Sequence, residues 1–279
     1  MDVSLWGRED SVTLVGKYNS GRSADIWRGT LAGEEVAVKI YRPTFDDGGL
    51  FDESVDREFR VECRDSRIVV AEERGVIEFS RGRWSHVLVM PMIDEECLRD
   101  VIRRGDLGSN SRVAVCNEIV NSLASLHECG LTHGDLNPSN ILVSEKECKA
   151  YLIDLEFCLP TEMSELVEKR GSDYSRERGT PGYIAPEIER SGIRASSCSS
   201  DVWALGWVLA ETLNQDDNLG DRDWRKHWKK CGSGTSMLDD WSSDFGRDID
   251  DSVRRCVVID RRDRIKMDEI VEIFENHVG

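Results

Sequence analysis

The densest run of reactive side chains is His133-Gly134-Asp135-Leu136-Asn137-Pro138-Ser139-Asn140-Ile141-Leu142-Val143, an Asp and an Asn on a loop between a helical pattern and a short apolar strand. One carboxylate can orient an attacking hydroxyl and accept its proton, and an amide oxygen a few residues on can ligate a divalent cation without adding charge. Phosphoryl transfer needs such a pair, and Asp135 and Asn140 fit the two roles. Asp and Asn are also ordinary loop residues, but a motif of this length is hard to assign to a plain solvent loop. Downstream, Tyr151-Leu152-Ile153-Asp154-Leu155 reads as a strand ending in a carboxylate, which makes Asp154 the candidate second metal ligand. Upstream, Val36-Ala37-Val38-Lys39 is strand sequence in which alternation puts Ala37 and Lys39 on one face, the first to meet a flat base and the second its phosphates. Glu58, on a charged helical segment, is the candidate ion-pair partner that orients Lys39, with Glu62 one turn away as the alternative.

These residues need elements to hold them. SVTLVGKY (11–18), ADIWRGTL (24–31) and EEVAVKIY (34–41) read as strands separated by turn residues at 19–23 and 32–33, which predicts an antiparallel meander. A helix is expected over 51–64 and a last apolar strand over 86–93, with Pro91 at the boundary. Beyond it, Val113, Cys116, Val120, Leu123 and Leu126 recur at helical spacing up to Gly130. Residues 200–213, SDVWALGWVLAETL, are apolar nearly all round, as in a helix buried within a helical domain.

In motif order, and across almost the whole length, the chain resembles the eukaryotic-type protein kinase family. The most specific similarity is Gly179-Thr180-Pro181-Gly182-Tyr183-Ile184-Ala185-Pro186-Glu187, like the family's substrate-docking segment. The resemblance implies an α+β, bilobal protein-kinase-like fold: a small antiparallel-sheet N-lobe over residues 1–91 for nucleotide, and a mostly helical C-lobe over 92–279 for catalysis and substrate. It implies ATP and Mg²⁺ as cofactors, with transfer of the γ-phosphoryl group to Ser or Thr of a protein. Asp135 would position the hydroxyl, Asn140 and Asp154 would hold Mg²⁺, Lys39 with Glu58 would bind phosphates, and Thr180 would align the acceptor. For adenine it implies Met90 as gatekeeper, hinge hydrogen bonds from the Pro91 carbonyl and the Ile93 N–H, and an apolar clamp of Ile26, Ala37 and Leu142. Asp201 in Ser-Asp-Val-Trp would brace the catalytic loop, and Arg264 would pair with Glu187.

Departures from the family pattern are as specific as the matches. In Asn19-Ser20-Gly21-Arg22-Ser23-Ala24-Asp25-Ile26, only the middle glycine of the phosphate-covering loop, Gly21, is kept, which predicts weaker nucleotide binding. Gly134 replaces the Arg that would grip an activation-loop phosphate, so Ser172, Tyr174 and Ser175 have no evident receiver. Asn137 replaces a Lys near the γ-phosphate and Glu156 replaces a Gly, which predicts slow turnover. Two alternatives follow: a pseudokinase scaffold, and a small-molecule phosphotransferase similar to aminoglycoside and choline kinases, although the latter generally lack the 179–187 segment. Arg222, Trp224, Arg225, Lys226, Trp228, Lys229 and Lys230 form a basic, aromatic patch that is either a docking site or an ordinary solvated helix.

Composition bounds the rest. A net charge of −17 over 279 residues repels nucleic acid and anionic lipid and favours a basic protein substrate or partner. Nine cysteines without a Cys-x-x-Cys pair read as free thiols in a reducing compartment. No run reaches the ~18 to 20 apolar residues of a membrane span, and the expectation is a cytoplasmic protein of undetermined oligomeric state.

Overall fold

A computed structural model describes residues 2–7, 9–42, 53–80, 83–161, 179–217, 219, 224–232 and 234–278. The chain divides into two compact units, one of residues 1–62 and 69–94, the other of residues 63–68 and 95–279. Strands dominate the N-terminal part and helices the C-terminal part.

The first unit is a six-stranded barrel. Strands β1 (Asp2–Leu5), β2 (Ser11–Ser20), β3 (Ala24–Leu31), β4 (Glu34–Tyr41), β5 (Glu73–Ser80) and β6 (Arg83–Pro91) close in the order β1-β2-β3-β4-β6-β5. The expected antiparallel meander is present as β2-β3-β4, but the expected small sheet is corrected to a barrel, because β1 pairs with both β2 and β5 and removes the free edges. Gly75 permits that closure, since a Cβ there would lie 2.1 Å from the Ser4 carbonyl oxygen. The β3–β4 hairpin turns at Ala32 and Gly33, both at positive φ (51° and 91°), as a two-residue primed turn requires. Alternation along β4 sends Val36, Val38 and Ile40 into a core shared with Val3, Val12, Ile77, Val87 and Val89, and burying each such side chain is worth roughly 1.5–3 kcal/mol. Ala37, Lys39 and Tyr41 therefore share the other face. The helix expected over 51–64 is described over α1 (Glu53–Phe59).

The second unit is built around two helices. Among its described residues it holds strands β7 (Glu96–Cys97), β8 (Leu131–Thr132), β9 (Ile141–Ser144), β10 (Lys149–Leu152) and β11 (Leu159–Pro160), with helices α2 (Leu98–Arg104), α3 (Ser109–Glu128), α4 (Pro186–Ser191), α5 (Cys198–Asn214), α6 (Trp224–Cys231), α7 (Arg247–Cys256) and α8 (Met267–Val278). On α3 the residues Val113, Cys116, Val120, Leu123 and Leu126 are all buried, as their spacing predicts. Gly130, with φ 74°, turns the chain into β8 after the helix ends. Every residue from Ser200 to Leu213 on α5 is buried. A Cβ on Gly206 would lie 2.5 Å from Cys256 Cβ, so α5 and α7 meet at near-backbone distance.

No described helix is long and apolar enough to cross a membrane. The expectations for Ser172, Tyr174, Ser175 and Arg222, and for the side chains of Trp224 and Trp228, fall outside the described residues.

Candidate active site

In the first unit the outward face of β4 carries Lys39, the expected phosphate-binding residue. Lys39 Nζ donates to both carboxylate oxygens of Glu58, at 3.0 and 2.7 Å, with the two residues only 5% and 3% exposed. Of the two candidate partners Glu58 makes this pair, and Glu62 is exposed. The Tyr41 hydroxyl, on the same face as Lys39, donates to the same carboxylate, a contact that no sequence signal marked. Removing one partner of a buried ion pair costs about 3–5 kcal/mol, because the other charge is left uncompensated.

The expected adenine residues of this unit lie on neighbouring strands. Ala37 pairs with Met90 in register, Ile26 with Lys39, and Val36 with Pro91 at the end of β6. Ala37 and Met90 are buried, Ile26 and Ile93 half-buried, and Pro91 exposed. The turn expected to cover phosphates is short: Gly21 N–H donates to the Ala24 carbonyl at 2.8 Å, and the Arg42 guanidinium caps the Gly21 carbonyl at 2.8 Å. A Cβ on Gly21 would come within 3.1 Å of the Ala24 oxygen.

In the second unit the loop from His133 to Asn140 is set by Asp201 at the start of α5. Its carboxylate accepts the His133 N–H at 2.8 Å and the Gly134 N–H at 3.0 Å, and bonds His127 Nε2 at 3.0 Å. Burial alone would lower the His127 pKa, but the Asp201 bond, helped by Cys198, outweighs it and pushes the imidazole up to about 9. Gly134 has φ 78°, and a Cβ there would lie 2.5 Å from the Phe157 carbonyl oxygen. The missing Arg thus has a local structural reason, because backbone occupies the side chain's place.

Asp135 is held on both sides. Its Oδ1 accepts the Thr180 N–H at 2.6 Å, while Asn140 Nδ2 donates to its carbonyl at 2.9 Å and to Oδ2 at 3.2 Å. Burial, opposed by the Thr180 contacts and assisted by the nearby Asp154 carboxylate, raises the Asp135 pKa above the ordinary carboxylate value. Asn137, which stands where a cation was expected, is 1% exposed. Its Nδ2 links the Asp135 carbonyl (2.9 Å) to the Thr180 hydroxyl (3.1 Å), a bridging role that reading it as a lost Lys did not anticipate. Asp154 takes a left-handed conformation (φ 61°, ψ 70°) that opens the turn Leu155–Phe157, where Glu156 lies. Leu142 is half-buried on β9, in register with Cys97 and Tyr151. A cleft lined by Asp135, Phe157, Thr180, Tyr183, Ile184 and Ile188 adjoins the loop.

The segment after Thr180 is anchored twice. Arg264 makes a two-pronged pair with Glu187 (2.6 and 2.7 Å), bonds the Val258 and Ser199 carbonyls, and stacks on Trp203 at 5.0 Å. The Tyr183 hydroxyl donates to the buried Glu211 at 2.6 Å and accepts from Arg99 at 2.9 Å, and Arg99 also reaches Ser139 at 3.2 Å. Burial, then the Glu211 carboxylate, raises the Tyr183 pKa well above that of a free phenol. Sequence reading missed Arg99 and Glu211, which carry no motif of their own.

The donor set suits a hard divalent cation. Asn140 spends its amide nitrogen on Asp135, which leaves its oxygen as the end able to ligate, and Asp154 adds a carboxylate in the same unit.

Residues 14–273 match the family model for the protein kinase domain. Among curated proteins the chain is similar to serine/threonine-protein kinase PknL of Mycobacterium tuberculosis, 29% identical over 215 residues, covering 73% of this chain and 49% of that protein. It is similar also to PknD of the same species, 30% identical over 213 residues and covering 75% and 30%. A third relative is serine/threonine-protein kinase pkn2 of Myxococcus xanthus, 23% identical over 213 residues and covering 74% and 25%. The chain spans half or less of the length of these relatives. With a family match running through both units, the chain belongs to the protein kinase family.

Proposed function

We propose that the chain transfers the γ-phosphoryl group of ATP to Ser or Thr hydroxyls of proteins, its two units serving as the two lobes of a kinase. The observation that carries this reading is the Asp135 carboxylate, oriented by Thr180 and Asn140 at the side of a cleft. In the proposed mechanism Asp135 aligns the acceptor hydroxyl and takes its proton, Thr180 and Asn140 keep that carboxylate in place while Asn137 ties the Asp135 carbonyl to Thr180, and Lys39, oriented by Glu58, binds the α- and β-phosphates. Asn140 and Asp154 would hold Mg²⁺, which when bound neutralises charge on the phosphates. Met90, Pro91, Ile93, Ile26, Ala37 and Leu142 would receive adenine, and Gly21 would lie over the phosphates. The 179–187 segment walling the cleft supports a protein acceptor over a small alcohol, and the net charge of −17 supports a basic one. A reducing, cytoplasmic setting belongs to the same proposal.

The test is incorporation of labelled phosphate from ATP into basic proteins and into the chain itself, for wild type, Asp135→Asn and Lys39→Met. Transfer by wild type that both variants lose supports the reading. A wild type that binds ATP yet transfers nothing, to proteins or to small alcohols, overturns it in favour of a scaffold.

A further inference from the structure

Two sulfur atoms meet at a place the transfer chemistry does not use. Cys63 Sγ and Cys129 Sγ lie 2.7 Å apart although 66 positions separate them in sequence. Cys63 opens the strap of residues 63–68 that groups with the second unit, five residues after Glu58 along the chain. Cys129 ends α3, just before the left-handed Gly130.

The strap is tied down near this contact. Arg67 pairs with Asp65 at 2.6 Å and reaches the Ser125 hydroxyl at 3.3 Å. Its carbonyl accepts the Leu152 N–H at 2.8 Å, and Ile68 bridges to Leu152. Cys63 is half-buried and Cys129 exposed, so small solutes reach the pair, whereas Cys116, Cys158 and Cys256 are buried. Burial, then the neighbouring Cys63, pushes the Cys129 thiol up to about 11, which disfavours the Cys129 thiolate and makes Cys129 the resolving sulfur.

We propose that Cys63 and Cys129 form a modification site for a peroxide-class oxidant, which converts them into an intramolecular disulfide that a dithiol reverses. In the first step the Cys63 sulfur attacks one peroxide oxygen, the O–O bond breaks, one water leaves, and Cys63 becomes a sulfenic acid. In the second, the Cys129 sulfur attacks Cys63, the S–O bond breaks and the S–S bond forms, and a second water carries off the hydroxyl and the thiol proton. The two thiols together give up two electrons and the peroxide takes them. The bond ties the strap that leads away from α1 to the end of α3, and it restricts the unfolded chain over a long loop. The proposal rests on the two thiols and is independent of the phosphotransfer reading.

Its test exposes the whole chain to graded hydrogen peroxide and follows it by intact mass and non-reducing peptide mapping, beside Cys63→Ser and Cys129→Ser. The expected result is a cross-linked peptide pair holding Cys63 and Cys129 that forms before the other cysteines lose their free thiols. It disappears with dithiothreitol and is absent from both variants. A dimedone adduct on Cys63 is expected in Cys129→Ser, and a raised thermal midpoint in oxidised wild type only. The proposal is overturned if both thiols stay open to alkylation while other cysteines oxidise, or if Cys63 links to any other cysteine or between chains.

Discussion

Three residues of the loop from His133 to Asn140 test the proposed site most directly. Asp135→Asn keeps the shape and removes the proposed base, and the expected loss is about 10²- to 10⁴-fold in phosphate transfer, read from labelled incorporation with nucleotide affinity nearly unchanged. Asn137→Ala removes the bridge from the Asp135 carbonyl to the Thr180 hydroxyl. At about 1–1.5 kcal/mol for a lost hydrogen bond, transfer should fall by roughly 10-fold, and an unchanged rate would show that the bridge is idle. Gly134→Ala places a Cβ 2.5 Å from the Phe157 carbonyl oxygen at a φ of 78°, so stability should drop by about 1–3 kcal/mol in urea unfolding. At this scale the sequence nominates residues wherever chemistry limits the residue type: Asp135, Asn140 and Lys39 stand out because few side chains could do the proposed jobs. Arg99, Glu211 and Tyr41 did not stand out, because a cation, a carboxylate or a phenol acquires its role only from the neighbour it meets.

Between elements, single buried polar groups do the fastening. Asp201 on α5 holds the loop after β8 and the end of α3 together through His133, Gly134 and His127. Because the folded His127 pKa, about 9, lies above the ordinary imidazole value of 6.5, its contribution to stability is complete below about pH 6.5 and is lost as pH rises through about 9. Unfolding free energies from urea titration of wild type and His127→Gln should therefore differ by up to about 3 kcal/mol at pH 6 and converge above pH 9. A gap that widens with pH would contradict the assignment. Arg264 joins α4 to the chain between α7 and α8, and Arg264→Ala leaves Glu187 without its buried partner. The expected cost is about 3–5 kcal/mol, measured by thermal or urea unfolding. The pairing of these two residues could be expected from the resemblance, while the Ser199 and Val258 carbonyls that complete it are visible only once the chain is folded.

For the whole molecule, a charge of −17 sets a uniform condition. Self-repulsion opposes the compact state and salt screens it, so the thermal midpoint should rise as sodium chloride is raised from tens of millimolar toward molar concentrations, and a flat or falling curve would show that the acidic surface is already neutralised by ion pairs. The architecture was open to reading from the chain in unequal parts. Alternation and helical spacing located β2, β3, β4 and α3, because a strand or helix with a buried face must repeat apolar residues at 2.0 or 3.6 positions, and α5 was located by being apolar nearly all round. The barrel was not readable, since its closure depends on the four-residue β1 and on β5, whose alternation is too short or too broken by charge to register. Residue types and spacing alone were enough to nominate the groups expected to bind phosphate, hold a cation and take a proton. The spacing put Glu58 ahead of Glu62 as the partner of Lys39 and folding brought the two together, whereas folding alone decided that Asn137 bridges rather than merely lacks a charge, and that Cys63 touches Cys129. Such choices depend on distances between residues far apart in the chain, and those distances exist only after the core has packed.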